Sequence, residues 1–286
     1  MKVRPLLLAL ALAAPAMARA HDTWFERLDA NDAAPRLALG TGSRFPVQES
    51  GIDARYIVAS GCRAALLATS LQATAQADSA LQLRATPGAA TCWLQTTPFE
   101  ITLAPDKIAL YLREVNPDAG LRAAWADMQR RGLPWRERYV KNARIELGTP
   151  SALPAPLGLD LVIEHAGRLV PGQDFAVRVL RDGQPLPGLA VELRSDASPL
   201  GIWRRSDVQG RLTMPAPAAG RWLLRAVDLR LSTTTPDSWD SRFATTAFEI
   251  GPDQNGSSLR LNALSTSQAE ATAAISSEPP SSTARR

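Results

Sequence analysis

Few residues of this sequence can bind a metal ion or react through sulfur. The 286-residue chain contains only two histidines and two cysteines. Most metal clusters, and most catalytic schemes that pair cysteine with histidine, require more of these residues. The sequence also lacks a G-x-G-x-x-G or Walker phosphate loop and a G-x-S-x-G nucleophile elbow. Metal clusters, nucleotide-dependent catalysis and α/β-hydrolase chemistry therefore have no support.

The chain also has almost no net charge outside its first 20 residues. The whole chain has 32 Lys and Arg against 28 Asp and Glu, a formal charge of +4. Lys2, Arg4 and Arg19 lie in the first 20 residues, which contain no acidic residue, so the remainder carries a net charge of only +1. A charge so close to neutral gives no electrostatic reason to expect nucleic acid or an anionic membrane surface as a partner.

Residues 1–20 have the organisation of a secretory signal peptide. Two basic residues, an apolar run over 5–17 and the small-x-small tripeptide Ala18-Arg19-Ala20 follow one another in the usual order. The apolar run is shorter than the roughly 20 residues that a membrane-spanning helix needs, and no later run reaches that length. We expect a periplasmic or secreted protein that does not span the membrane after cleavage.

Cleavage after Ala20 would make His21 the first residue of the mature chain. Its free α-amine and its imidazole could then chelate one metal ion, and both are nitrogen donors that suit nickel, copper or zinc. Asp22 follows directly and could add a carboxylate oxygen. The alternative is that His21 is merely the residue that follows the cut.

The two cysteines, Cys62 and Cys92, are separated by 30 residues. In an exported chain such a pair is most simply a structural disulfide. Two free metal-binding thiols are the alternative, and they would suit a cytosolic protein better.

Short apolar stretches separated by turn residues predict a mainly β fold with two β-sandwich domains. We assign residues 21–148 to an N-terminal β-rich domain, in which helical periodicity near 106–131 predicts a short helical insertion. The uncharged, proline-rich segment 149–158 is typical of a linker. Residues 251–286 have no periodicity and predict a disordered tail.

The second domain, residues 159–250, has the strand rhythm of an immunoglobulin-like sandwich. Its predicted strands cover 159–164, 175–180, 189–193, 202–206, 211–214, 222–226 and 243–250.

Nothing in the sequence indicates an enzyme. A Ser-His-Asp triad would need His165, which follows a predicted strand and enters a turn, where a solvent-facing histidine is the ordinary interpretation. A copper site that joins His21 to His165 is the one enzymatic alternative, and it requires the two residues to be close in space. We therefore predict a protein without enzymatic activity.

Several short motifs occur together in one order across residues 21–250. They are HDTWF at 21–25, GSRFP at 42–46 followed by Glu49, RERYV at 136–140, DGQP at 182–185, GRW at 220–222 and WDSRF at 239–243. In this the chain resembles exported bacterial proteins of the nickel-uptake-associated domain-of-unknown-function type, some of which accompany nickel or cobalt transporters. The second domain also resembles carboxypeptidase-regulatory-like and transthyretin-like sandwiches.

The resemblance implies an accessory protein that binds a divalent metal ion, such as Ni, Co or Cu, or passes it to a membrane partner. That partner would be an inner-membrane metal transporter or another envelope protein. His21 is the position carried over as a ligand, and Asp22, His165 and Asp228 are the candidate co-ligands. Asp228 stands in a segment where the family often has a histidine. The alternative is an envelope interaction or adhesive module that binds no metal.

Overall fold

The computed structural model describes residues 21–29, 33–198 and 200–252. The predicted signal peptide and nearly all of the predicted tail lie outside these residues. The described chain is mainly β-strand with two helices. The sheets are stacked in a sandwich-like arrangement, which confirms the predicted fold class.

The first half of the chain contains ten strands and two helices. They are β1 (Asp22–Arg27), β2 (Arg36–Gly42), β3 (Ser50–Gly51), β4 (Ile57–Ala64), β5 (Leu67–Thr69), β6 (Leu71–Gln76), β7 (Leu81–Ala85), β8 (Thr91–Thr96), β9 (Phe99–Leu103), α1 (Pro105–Val115), α2 (Ala119–Arg130) and β10 (Trp135–Glu146).

The second half contains strands only. They are β11 (Leu159–Glu164), β12 (Asp174–Arg181), β13 (Gln184–Pro185), β14 (Ala190–Ser195), β15 (Ile202–Arg205), β16 (Arg211–Pro215), β17 (Gly220–Leu231) and β18 (Trp239–Ile250).

Three sheets form from these strands. One has the order β1-β2-β7-β6, with β3 added to β2, and another joins β11, β12, β13 and β16. The third is a nine-stranded sheet with the order β15-β14-β17-β18-β10-β8-β4-β5, and β9 pairs with β10. In this sheet β10 from the first half runs parallel to β18 from the second half, from Glu137 opposite Trp239 to Ile145 opposite Ala247. The nine-stranded sheet therefore crosses the predicted domain boundary.

The nine-stranded sheet lies between the two smaller sheets. Because side chains alternate along a strand, Leu223 of β17 packs into the core under the β1–β2 sheet, whereas Leu224 packs against the β11–β12 sheet. Further along the first of these faces, helices α1 and α2 replace the smaller sheet and enclose Trp135 and Trp239.

The two helices occupy the segment near 106–131 for which the sequence predicts a helical insertion. Pro105 occupies the first turn of α1, and Asp118 caps α2 by accepting a hydrogen bond from the Leu121 backbone N–H at 2.9 Å. Asn116 ends α1 in the left-handed conformation. Within the described residues no helix is long and apolar enough to cross a membrane.

The predicted disulfide is confirmed. Cys62 on β4 and Cys92 on β8 face each other in the strand register and are bonded, with their Cα atoms 4.0 Å apart. Both side chains are fully buried in the core under the β1–β2 sheet. The bond therefore joins two neighbouring strands of the nine-stranded sheet.

The proline-rich segment 149–158 is fixed against the nine-stranded sheet. The buried Arg144 guanidinium donates to the backbone carbonyls of Ser151 at 2.7 Å and Leu153 at 3.2 Å. Arg63 donates to the carbonyls of Leu153 and Pro154. These side chains supply donors to a segment whose prolines cannot donate.

Candidate functional site

His21 lies directly before β1, where its backbone is fixed and its side chain is partly exposed. Its carbonyl oxygen accepts a hydrogen bond from Lys141 Nζ at 3.0 Å. Its imidazole Nε2 is 3.7 Å from Glu49 Oε2, and the side chain keeps 21% of its accessible surface. The residue after the predicted cleavage point is thus held between β10 and the connection from β2 to β3.

A small recess of about 40 Å³ lies beside His21. Its apolar wall is formed by Ile101, Leu103 and Phe243, and its polar wall by His21, Tyr111, Glu137, Tyr139 and Lys141. Three of these residues belong to β10, whose alternate side chains point to the same face of the sheet.

Lys141 joins the recess to the first strand. Besides the His21 carbonyl, its ammonium donates to Thr23 Oγ1 at 3.0 Å. Burial lowers the pKa of Lys141 to about 8, and the negative charge of Asp22 opposes this effect.

Glu137 is a buried carboxylate with three donors. It accepts hydrogen bonds from Tyr111 Oη at 2.6 Å, from Trp135 Nε1 at 2.8 Å and from the Ser241 hydroxyl. Burial raises the pKa of Glu137, and these donors only partly offset the effect. Burial, together with the charge of Glu137, also raises the pKa of Tyr111 and of Tyr139. The recess therefore combines one cationic and one anionic group that are both costly to charge.

Asp22 is adjacent to His21, but its carboxylate is paired with an arginine. It is buried, and its Oδ2 lies 2.6 Å from Arg225 Nε. Arg225 also pairs with Glu192 at 2.9 Å. A metal ion could take Asp22 as a ligand only by separating it from Arg225, which would leave a buried guanidinium less well compensated.

His165 and Asp228 are not brought to His21. Asp228 lies in β17 and pairs with Arg181 of β12 at 3.0 Å and with Arg230 at 2.9 Å. It thus faces the β11–β12 sheet, on the side of the nine-stranded sheet away from the first strand. His165 directly follows β11. Within residues 21–29, 33–198 and 200–252 there is no group of three or more His, Cys, Asp or Glu side chains that could hold a metal ion.

Glu49 is the residue near His21 that sequence reasoning did not assign to the site. It enters the sequence analysis only as a residue that follows the GSRFP motif. It is separated from His21 by 28 positions, and no ligand-spacing rule links the two residues. The antiparallel pairing of β1 with β2 and of β2 with β3 brings them together.

The structure places one carboxylate, that of Glu49, 3.7 Å from the His21 ring nitrogen Nε2. Metal-binding histidines commonly donate their second ring N–H to a carboxylate or carbonyl, which fixes the tautomer. The position of Glu49 beside Nε2 is suited to this role.

Comparison with protein-family models finds a match for most of the chain. A family model described as a domain of unknown function (DUF4198) matches residues 18–228. No curated protein matches the chain. The matched range contains His21, Glu49, Lys141 and the whole recess except Phe243.

Proposed function

Since the chain belongs to the DUF4198 family of unknown function, we propose its function from its own geometry. It is an exported protein that binds one divalent metal ion, Ni²⁺, Co²⁺ or Cu²⁺, at His21 after residues 1–20 have been removed. The ion is passed to an inner-membrane metal transporter or to another envelope protein, and no catalysis is involved.

The fixed backbone of His21 is the observation that carries this proposal. The hydrogen bond from Lys141 holds the His21 carbonyl, and β1 begins at the next residue. Cleavage after Ala20 would therefore place the new α-amine at a defined position next to the imidazole. Both nitrogens belong to one residue, so little further ordering is needed for them to share an ion.

Two further observations fit export and transfer. The Cys62–Cys92 disulfide is typical of an oxidising compartment such as the periplasm. A site built mainly from one partly exposed residue leaves coordination positions open. An open site allows the ion to exchange with a partner's ligands, which suits delivery better than storage.

The test is calorimetric titration of the mature protein with Ni²⁺, Co²⁺ and Cu²⁺, after intact-mass analysis has shown that the periplasmic protein begins at His21. His21→Ala should weaken binding of the favoured ion by at least about tenfold, or about 1.4 kcal/mol. The melting temperature of the metal-free protein should stay unchanged, because the Lys141 bond uses the backbone carbonyl.

His165→Ala and Asp228→Asn are the matched controls, since neither residue lies at His21. Both should keep the wild-type affinity. Equal affinity in wild type and His21→Ala would contradict the proposal, as would a mature chain that begins elsewhere.

A metal-free interaction module is the second candidate. Leu66 in the turn between β4 and β5 and Leu67 at the start of β5 are 81% and 73% exposed, which is unusual for adjacent large apolar side chains. If the mature protein binds none of the three ions, this exposed leucine pair becomes the better starting point for its function.

A further inference from the structure

We propose that Glu49 orients the His21 imidazole for metal binding: its carboxylate oxygen, 3.7 Å from Nε2, attracts the Nε2–H proton electrostatically and so favours coordination of the ion through Nδ1. This inference rests on the proposed function and assigns a positioning residue to the same site.

The carboxylate of Glu49 is held in place independently of His21. Its Oε1 accepts from the Ser43 backbone N–H at 3.2 Å and from the Ser43 hydroxyl, while the Glu49 N–H donates to the Thr41 carbonyl at 2.8 Å. The other carboxylate oxygen, Oε2, faces the His21 ring. One carboxylate oxygen therefore binds the turn through Ser43, while the other remains directed at the His21 ring.

The turn that carries Glu49 is itself attached to the first strand. Gln48 Nε2 donates to the Trp24 carbonyl of β1 at 2.9 Å, and the Phe45 ring packs edge-on against Trp24 at 5.8 Å. Movement of β1 would therefore carry His21 and Glu49 together. A carboxylate that keeps its place relative to the ring can select one ring orientation.

The chemistry of the ring determines what this orientation does. The α-amine and Nδ1 lie on the same side of the His21 side chain and can close a small chelate ring, whereas Nε2 lies on the far side of the imidazole. A negative oxygen near Nε2 favours the tautomer with its proton on Nε2. The lone pair then lies on Nδ1, the nitrogen that can share an ion with the amine.

The first measurement is made on metal-free mature protein with ¹⁵N-labelled histidine. The ring ¹⁵N shifts of His21 should report mainly the Nε2–H tautomer in the wild type and a more even mixture in Glu49→Gln. A purely structural role for Glu49 would not move this signal if the fold is intact, which equal melting temperatures would show. Glu100→Gln, at an exposed carboxylate on β9, is the matched control and should leave the shifts unchanged.

The second measurement is Ni²⁺ and Cu²⁺ affinity by calorimetry. Glu49→Gln should weaken binding by about 10- to 100-fold, the usual effect of removing the carboxylate partner of a metal-binding histidine. Unchanged affinity together with an unchanged tautomer would overturn the inference while leaving the proposed function intact.

A third variant separates positioning from direct ligation. If the ion instead lay between Nε2 and Glu49, adding one alanine before His21 would not affect binding, whereas Glu49→Gln would abolish it. That pair of results would overturn the positioning role. Failure of the wild-type mature protein to bind any metal would reject the proposed function, and the metal role of Glu49 with it.

Discussion

At the scale of single residues, Lys141 is the most unusual group near His21. Its ammonium is enclosed by protein and donates to one backbone carbonyl and one hydroxyl, without a carboxylate in direct contact. Desolvation therefore outweighs the attraction of Asp22 and lowers the pKa to about 8, from 10.5 for an exposed lysine.

This pKa predicts a dependence of stability on pH. Between about pH 8 and pH 10.5 the unfolded chain binds more protons at Lys141 than the folded chain does, so the free energy of unfolding should rise with pH. This stabilisation of the folded chain is complete above pH 10.5, where Lys141 is neutral in both states. It is lost as the pH falls to 8, where the buried side chain becomes charged. Its size is about 3 kcal/mol, since one pKa unit corresponds to about 1.4 kcal/mol.

The measurement is urea unfolding of wild type and Lys141→Met at pH 7.5, 9 and 10.5. The wild-type free energy of unfolding minus that of the variant should increase across this range, and other titrating groups cancel in the difference. A flat difference would show that Lys141 has the same pKa in the folded and unfolded chains, and a decreasing difference would show that folding raises it; either result would contradict the prediction.

Individual site residues were predictable only where their position in the sequence puts them at the site. His21 follows from the cleavage pattern, and Asp22 is its neighbour in sequence. The sequence does not show that Asp22 forms an ion pair with Arg225. Nor does it show that Asp228 pairs with Arg181, since both pairs join distant strands. For the same reason Glu49 could not be assigned to the site.

At the scale of structural elements, segment 149–158 is the one whose structure differs most from the linker that its composition predicts. Three prolines and the absence of charge are typical of a linker, yet buried polar groups from elsewhere hold this segment. Arg144 is enclosed between Glu146 at 2.7 Å and Asp160 at 3.0 Å, and it also binds two carbonyls of the segment. The composition of the segment reveals its missing donors but not the arginines that compensate for them.

Removing Arg144 should therefore be costly. Arg144→Met leaves two buried carboxylates without their cation and should lower the free energy of unfolding by about 3–5 kcal/mol in urea titrations near pH 7. Burial already raises the pKa of Glu146 and Asp160, and the loss of Arg144 would raise both further.

Arg63→Met is the control for this prediction. Arg63 contacts the same segment but is only partly buried, so its loss should cost about 1 kcal/mol. Equal effects of the two substitutions would show that the buried ion pairs do not determine how the segment is held.

Helices and strands were otherwise largely predictable from periodicity. The spacing of Ile108, Leu112 and Val115 indicates α1 correctly, because these side chains form its buried face. The strand predicted at 222–226 is longer in the structure, where β17 covers Gly220–Leu231. Charged Asp228 suggests a strand end in the sequence, but as a buried ion-paired residue it lies inside the strand.

At the scale of the whole molecule, the parallel pairing of β10 with β18 joins the two halves of the chain. Sequence patterns indicate each strand separately but contain no information about a pairing across roughly 100 residues. The two halves share hydrogen bonds and also core, since Leu223 and Ala247 pack among first-half residues. We therefore expect the described chain to unfold as one cooperative unit.

The check is urea unfolding followed by tryptophan fluorescence and by far-UV circular dichroism. The two transitions should coincide, and separate fragments 21–158 and 159–252 should not fold. Two resolved transitions, or a folded isolated fragment, would favour independent domains.

The central claim is that His21 binds a metal ion through its own amine and imidazole as the first residue of the mature chain. The most direct test compares the Ni²⁺ affinity of the mature protein with that of the same protein carrying one additional alanine before His21. The addition keeps the imidazole, Glu49 and Lys141 but turns the α-amine into a peptide nitrogen. We predict that affinity falls by at least about tenfold, or about 1.4 kcal/mol, with no change in metal-free stability. Equal affinity in the two proteins would contradict the account.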